Sequence, residues 1–250
     1  YAKIMLPELT FPYLIPGQEV LLDDGKIHLK IVEKAENVTE NGGENTQEKR
    51  YFAKVLWGGL LKSRKSAALP GAKIYPPTLT NSDLANIKIA KEMGVTGVMQ
   101  PFVRDHSDLE CVKEALREAG AEDIRLFAKI ENMDGVRKLE KLLPAADEIV
   151  IARGDLGNAV HLWDLPGVQR QISEKCRAAG KPFMVVTQML ASMERSPVPT
   201  RAEVNDIFHA VMDGAASIMV TGETAVGDYP VEVIRYMVNT VRSAEKEENR

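Results

Sequence analysis

The chain has 250 residues, 44% of them hydrophobic and 27% charged, with a formal net charge of −4 and a pI near 5.7. That much apolar material supports a globular chain with one sizeable core and a smaller attached unit. The acidic balance argues against a broad phosphate-backbone-binding surface and hence against nucleic acid, while leaving room for a locally positive pocket for a small anion.

No run reaches the roughly 18 apolar residues that a membrane span requires, and residues 1–20 lack the basic, apolar and small-residue order of a signal peptide. Cys111 and Cys176 lie far apart, without metal or redox spacing, in segments that read as helices. They are expected to be buried thiols in a reducing compartment, and the chain is expected in the cytoplasm without a membrane partner.

From Tyr1 to Gly71 the pattern is short and strand-like. Glu19-Val-Leu-Leu and Lys26-Ile-His-Leu-Lys-Ile-Val flank Asp23-Asp24-Gly25, a hairpin signal because glycine tolerates the positive φ of the turn. Asn37 to Arg50 reads as a polar connection and Tyr51-Phe-Ala-Lys-Val-Leu as a further strand, so residues 1–71 form a small β unit.

Across residues 72–250 helices and strands alternate. Helices are predicted over Asn81–Gly94, Asp108–Gly120, Met133–Ala146, Pro166–Gly180, Arg201–Gly214 and Pro230–Lys246. Between them lie five apolar runs, at Val95–Met99, Ile124–Ile130, Glu148–Ala152, Pro182–Val186 and Ala216–Val220. This grammar specifies an α/β fold with a parallel sheet, either doubly wound or a TIM-type (β/α)8 barrel.

The barrel fits better, because polar residues gather just after the strands: Lys129 and Glu131, Arg153 and Asp155, Thr187 and Gln188, Thr221 and Glu223. A closed barrel takes eight strands and five are visible. The expectation is therefore a barrel that is incomplete in this chain, which would start partway through a larger protein.

Lys129 and Glu131, two apart on one strand, leave from the same face. Asp155 ends the next strand, about 4.8 Å away in a parallel sheet, so its carboxylate can share an ion with Glu131. With no His or Cys among them, these ligands are hard oxygens that suit Mg2+ or Mn2+ rather than Zn2+. Lys129 adds a point charge where a phosphoryl group or an enolate oxygen gains negative charge. Gly154-Asp155-Leu156-Gly157 reads as a turn whose amides could cradle a substrate carboxylate.

Each feature alone is weak. Lys and Glu at this spacing are more often a solvated edge or an internal ion pair, and Arg153-Gly-Asp carries little as an isolated tripeptide. Thr80/Asp83 and Thr200/Glu203 are sufficiently explained as helix capping boxes. Asp23 and Asp24 are turn formers by default. His28, His106, His161 and His209 show no pairing, and Met184, Met189, Met193, Met212 and Met219 read as core filler. The weight lies in functional groups recurring at four successive strand ends.

Five ordered motifs resemble those of the pyruvate kinases: Ala128-Lys-Ile-Glu-Asn132, Ile151-Ala-Arg-Gly-Asp-Leu-Gly157, Thr187-Gln-Met-Leu190, Pro199-Thr-Arg-Ala-Glu203 and Gly222-Glu-Thr-Ala225. Leu22-Asp-Asp-Gly25 and Leu69-Pro-Gly71 are similar to the β-barrel lid domain inserted into the main barrel of that family. The resemblance covers nearly the whole chain. It implies a phosphotransferase that moves the phosphoryl group of phosphoenolpyruvate to ADP, with residues 1–71 part of the lid and 72–250 the last five β/α units of the catalytic barrel.

On the same resemblance, Glu131 and Asp155 would hold the Mg2+ or Mn2+, and Lys129 would stabilise the phosphoryl group and the enolate. Thr187 and the amides of Gly154 and Asp155 would hold the substrate carboxylate. Thr221 and Glu223 would belong to the relay that protonates the enolpyruvate carbon. Asp24 would approach the nucleotide with the lid, and Arg201 would sit near a subunit interface of a homo-oligomer. Any K+ would find its ligands outside this chain, as would the phosphate-binding Arg of the family.

Pro101 stands where the family has Ser, Thr221 replaces a usual Ser, and Asn158-Ala159 replaces Val-Glu; these bear on fine positioning. Two rival readings are a metal-dependent aldolase acting on pyruvate enolates, which would lack the lid, and a truncated relative without activity.

Overall fold

In the computed structural model, which describes residues 2–23, 25–35, 49–63, 65–72 and 74–248, the chain divides into Tyr1–Pro77 and Thr78–Arg250. The first unit is built on an antiparallel pair, β1 (Glu19–Leu22) and β2 (Ile27–Lys34), in register from Glu19↔Lys30 to Leu22↔Ile27. The turn between them needs left-handed backbone, supplied by Asp23 at φ 50° and Gly25 at φ 81°. Aspartate is one of the few side chains that tolerates this region.

Strand β3 (Tyr51–Trp57) pairs with β2 and β4 (Ala67–Ala68) with β1, giving the order β3-β2-β1-β4. Val20, Leu22, Ile27, Leu29 and Ile31 bury a small core with Leu14 and Leu69. Glu8–Tyr13 is a 3-10 helix rather than extended chain; the Thr10 hydroxyl closes it on the Pro7 carbonyl at 2.6 Å. Most of the polar connection after Asn37, and Asp24, lie outside the described residues.

The second unit is an α/β layer structure. Five parallel strands, β5 (Gly97–Gln100), β6 (Arg125–Ile130), β7 (Glu148–Ala152), β8 (Phe183–Val186) and β9 (Ser217–Met219), pair in chain order without reversal. The connecting helices include α1 (Asn81–Ala90), α2 (His106–Glu118), α6 (Leu165–Ala178), α7 (Arg201–Met212) and the terminal α9 (Pro230–Glu248).

Alternation along the strands sorts the two faces. Leu126, Ala128, Ile130, Ile149, Ile151, Phe183 and Val185 join the large core beneath the helices, whereas Phe127, Val150, Ala152 and Val186 form a second cluster on the opposite face, with Met184 and Met219 against it. Both faces are therefore apolar, which is why β7 is buried at every position. Lys129 and Glu131 follow Phe127 at the period of two, so they belong to the second face, at its carboxyl end.

Helix starts follow their caps. Thr80 and Thr200 form capping boxes with Asp83 and Glu203, and Asp105 and Asn132 cap α2 and the short α3 (Met133–Arg137). The single helix predicted over 133–146 is broken, because Lys138 takes φ −98°, ψ 8° before α4 (Leu139–Leu142). The stretch read as a Gly-Asp-Leu-Gly turn is helical: α5 spans Arg153–Ala159 directly after β7.

Several surface assignments change as well. Cys111 is exposed, since α2 buries Leu109, Val112, Ala115 and Leu116 and turns residue 111 outward; only Cys176 is buried. Met189 and Met193 are core residues, but Met212 is exposed. The histidines do have neighbours. His28 meets Trp57 edge-on and lies 3.1 Å from Glu19 Oε2 without hydrogen-bond alignment, His106 Nε2 is 3.6 Å from Glu110, and His161 stacks on Trp163. Among the described residues no helix is long and apolar enough to cross a membrane.

Candidate active site

The candidate site residues follow the carboxyl ends of β6 to β9. At the end of β6 the Lys129 Nζ lies 2.7 Å from Glu131 Oε1, the internal pair that period-two spacing permits. Glu131 is almost wholly buried, with 1% of its side chain exposed, and its other oxygen, Oε2, accepts the Phe102 N–H at 2.6 Å. A buried carboxylate is tolerable because a cation and an amide answer it. A carboxylate has about four lone-pair positions, so one bond on each oxygen leaves capacity on both.

The next strand, β7, runs into α5. Asp155 is the third residue of that helix, half-buried, and together with Gly154 it sits in the first turn, where backbone N–H groups have no intrahelical acceptor. Among the described residues no group of three or more His, Cys, Asp or Glu side chains assembles as a metal cage. Glu131 and Asp155 are the acidic residues just after these two strands; two hard-oxygen ligands would leave most of an octahedral shell to water and substrate, the arrangement that suits Mg2+ or Mn2+.

After β8 the chain passes through two left-handed residues, Thr187 at φ 79° and Gln188 at φ 55°. For a β-branched threonine this is a strained conformation, and it persists where neighbouring structure dictates it. Arg153 does so: its Nε and Nη2 donate to the Thr187 carbonyl at 3.2 and 2.7 Å, Nη2 also reaches Met189 Sδ at 2.9 Å, and Nη1 pairs with Asp206 on α7 at 2.7 Å. A Cβ on Gly154 would stand 3.0 Å from Thr187 Cγ2, so the glycine lets the two turns meet.

After β9 the Glu223 carboxylate, 2% exposed, accepts the Thr221 N–H at 2.8 Å and the Leu190 N–H at 3.2 Å, with the Thr221 hydroxyl 3.5 Å away. Glu223 thus ties the β9 end to the β8 end and fixes Thr221. Glu203 works similarly: it accepts the Ser192 N–H and hydroxyl at 2.7 and 2.5 Å as well as both Thr200 donors. Burial alone would raise its carboxyl pKa, but these four donors bring it below the ordinary value. Arg201, exposed, opens α7.

The structure therefore brings Lys129 to Glu131, Gly154 to Thr187, and Thr221 to Glu223. Asp24 lies outside the described residues. Sequence reasoning missed Arg153 as the clamp on Thr187, Asp206 as its counter-ion and Phe102 as the donor to Glu131. A basic residue at a strand end was the one visible signal.

The family described as "Pyruvate kinase, barrel domain" matches residues 6–234. Among curated relatives named pyruvate kinase, that of Geobacillus stearothermophilus is 40% identical over 233 residues, covering 92% of this chain and 38% of its own length. That of Clostridium acetobutylicum is 35% identical over 234 residues, covering 94% and 47%, and that of Chlamydia pneumoniae 36% over 242 residues, covering 97% and 48%. The chain spans less than half the length of these relatives. On the match across nearly all of its residues, the chain belongs to the pyruvate kinase family.

Proposed function

We propose that the protein carrying this chain transfers the phosphoryl group of phosphoenolpyruvate to ADP, giving pyruvate and ATP as in glycolysis. The Lys129–Glu131 pair carries the reading: an ammonium and a buried carboxylate 2.7 Å apart at a strand end. Family membership favours this reaction over the aldolase.

Glu131 and Asp155 would hold Mg2+ or Mn2+, whose charge, when bound, offsets that of the phosphoryl and enolate oxygens. Lys129, a quarter exposed, keeps its ammonium where charge grows as the enolate leaves. Thr187 and the first-turn amides of α5 take the substrate carboxylate. Thr221 presents the proton-carrying hydroxyl, and Glu223, occupied by two backbone amides, acts chiefly as its orienter.

Chain-order pairing of β5 to β9 supports the TIM-type barrel over a doubly wound sheet, whose strand order reverses at a switch point. The Ser217 hydroxyl reaches Glu148 Oε1 at 2.5 Å although β8 lies between their strands, which supports a curled sheet. Residues 1–71 read as part of the lid and 72–250 as the last five barrel units. Arg201 is assigned to a homo-oligomer interface, K+ to ligands outside this chain, and the protein to the cytoplasm.

A lactate-dehydrogenase-coupled assay of the full protein tests the reaction. Pyruvate should form only with phosphoenolpyruvate, ADP and a divalent cation together. Pyruvate formation by nucleotide-independent aldol cleavage would contradict it.

A further inference from the structure

Three backbone groups of the segment that follows β5 are bonded to the end of β6. The Phe102 N–H donates to Glu131 Oε2 at 2.6 Å, the Val103 N–H to the Lys129 carbonyl at 3.3 Å, and the Val103 carbonyl accepts from Asn132 Nδ2 at 3.1 Å. The flanks are fixed too: the Pro101 carbonyl accepts from Gln100 Nε2, and the Arg104 N–H and guanidinium bind Asp108. A Cβ on Gly135 would lie 2.6 Å from the Val103 carbonyl oxygen, so glycine there admits the turn.

Phe102 itself is held at φ 52°, a region non-glycine residues seldom occupy, while the residue is 49% exposed. A half-exposed residue gives no packing reason for that backbone. What the left-handed conformation does achieve is to aim the amide at the buried Glu131 carboxylate. Functional sites commonly retain strain of this kind.

We infer that Phe102 is a positioning residue: its left-handed amide orients the Glu131 carboxylate, and the Phe102–Val103 turn sets the placement of the Lys129–Glu131 pair at the strand end. The inference rests on the reading of Glu131 as a ligand of the divalent cation. An outer partner that fixes a ligating carboxylate raises affinity by removing its freedom to rotate away. The first oxygen remains with Lys129, and the second is held from the β5 side.

The test is a Mn2+ titration of the full protein, followed by electron paramagnetic resonance without nucleotide or substrate, in the parent, Phe102→Val, Phe102→Gly and Glu131→Gln. Valine's β-branch opposes left-handed backbone, so Mn2+ binding should weaken roughly 10-fold or more. Glycine keeps the N–H and accepts the conformation freely, so affinity should stay within about threefold of the parent.

Parent-like affinity in Phe102→Val overturns the inference. So does a loss in Phe102→Gly as large as in the valine variant, which would assign the effect to the ring. Should the valine variant not fold, phenyllactate at position 102 replaces the N–H by an ester oxygen and keeps the ring; the same weakening is expected, and parent-like affinity there overturns the inference. Undiminished Mn2+ binding in Glu131→Gln would instead remove the metal-site reading beneath it.

Discussion

Arg153 donates through Nη2 to the Thr187 carbonyl at 2.7 Å while Thr187 holds φ 79°, so a guanidinium from the β7 end stabilises a strained turn at the β8 end. The same side chain pairs with Asp206, which links the turn to α7. Three hydrogen-bonding nitrogens in a planar fork make this possible, and lysine offers one point charge in their place.

Arg153→Lys should therefore release Thr187. A misplacement near 1 Å at a substrate-positioning group can cost on the order of 10²-fold in rate, and kcat/KM for phosphoenolpyruvate is expected to fall by about that much. Steady-state kinetics with phosphoenolpyruvate as the varied substrate measures it, and parent-like kcat/KM would show that Thr187 keeps its place unaided.

Lys129→Met removes the ammonium that answers the negative charge growing on the substrate during transfer, so kcat should drop on the order of 10²-fold or more. It also leaves Glu131 buried without its cation. The melting temperature without divalent metal should fall and should partly recover when Mg2+ is added. A variant with near-parent turnover, or one whose melting is indifferent to Mg2+, contradicts the assigned role.

Asp108 gives a pH signature away from the chemistry. Burial would raise its pKa, yet the Arg104 guanidinium, the Thr78 hydroxyl and the Arg104 amide outweigh burial and lower it to about 2. A depressed carboxyl pKa contributes stability that is complete above the ordinary value of 3.8 and is lost as pH falls through about 2. Urea unfolding of the parent and Asp108→Asn should differ by a constant amount near neutrality, with the gap closing below the ordinary value. A gap that persists undiminished to the acid limit would rule out the linkage.

The thiols should separate cleanly. Burial pushes the Cys176 pKa up to about 12, whereas Cys111 is exposed on α2. Brief alkylation of the native protein followed by peptide mass mapping should find Cys111 labelled and Cys176 intact; rapid labelling of Cys176 would mean that α6 opens locally.

Much of this was legible from local pattern. The apolar run 148–152 is β7, and the step of two between Lys129 and Glu131 is why they meet. Capping boxes at Thr80 and Thr200 announced two helix starts. What sequence could not give depends on long-range partners. Left-handed backbone at Phe102 and Thr187 goes with hydrogen bonds to Glu131 and Arg153, residues 29 and 34 positions away. The outward turn of Cys111 was legible as well, since Leu109, Val112 and Leu116 at helical spacing mark the buried face of α2 and leave residue 111 off it.

One ion shared by Glu131 and Asp155 is the claim on which the mechanism turns, and non-additivity of substitutions tests it most directly. Mn2+ binding to the full protein should be nearly abolished in Glu131→Gln and in Asp155→Asn, and the double variant should lose little more than either alone. Parent-like stoichiometry and affinity in Asp155→Asn, or independent additive losses from the two substitutions, would contradict a single shared site.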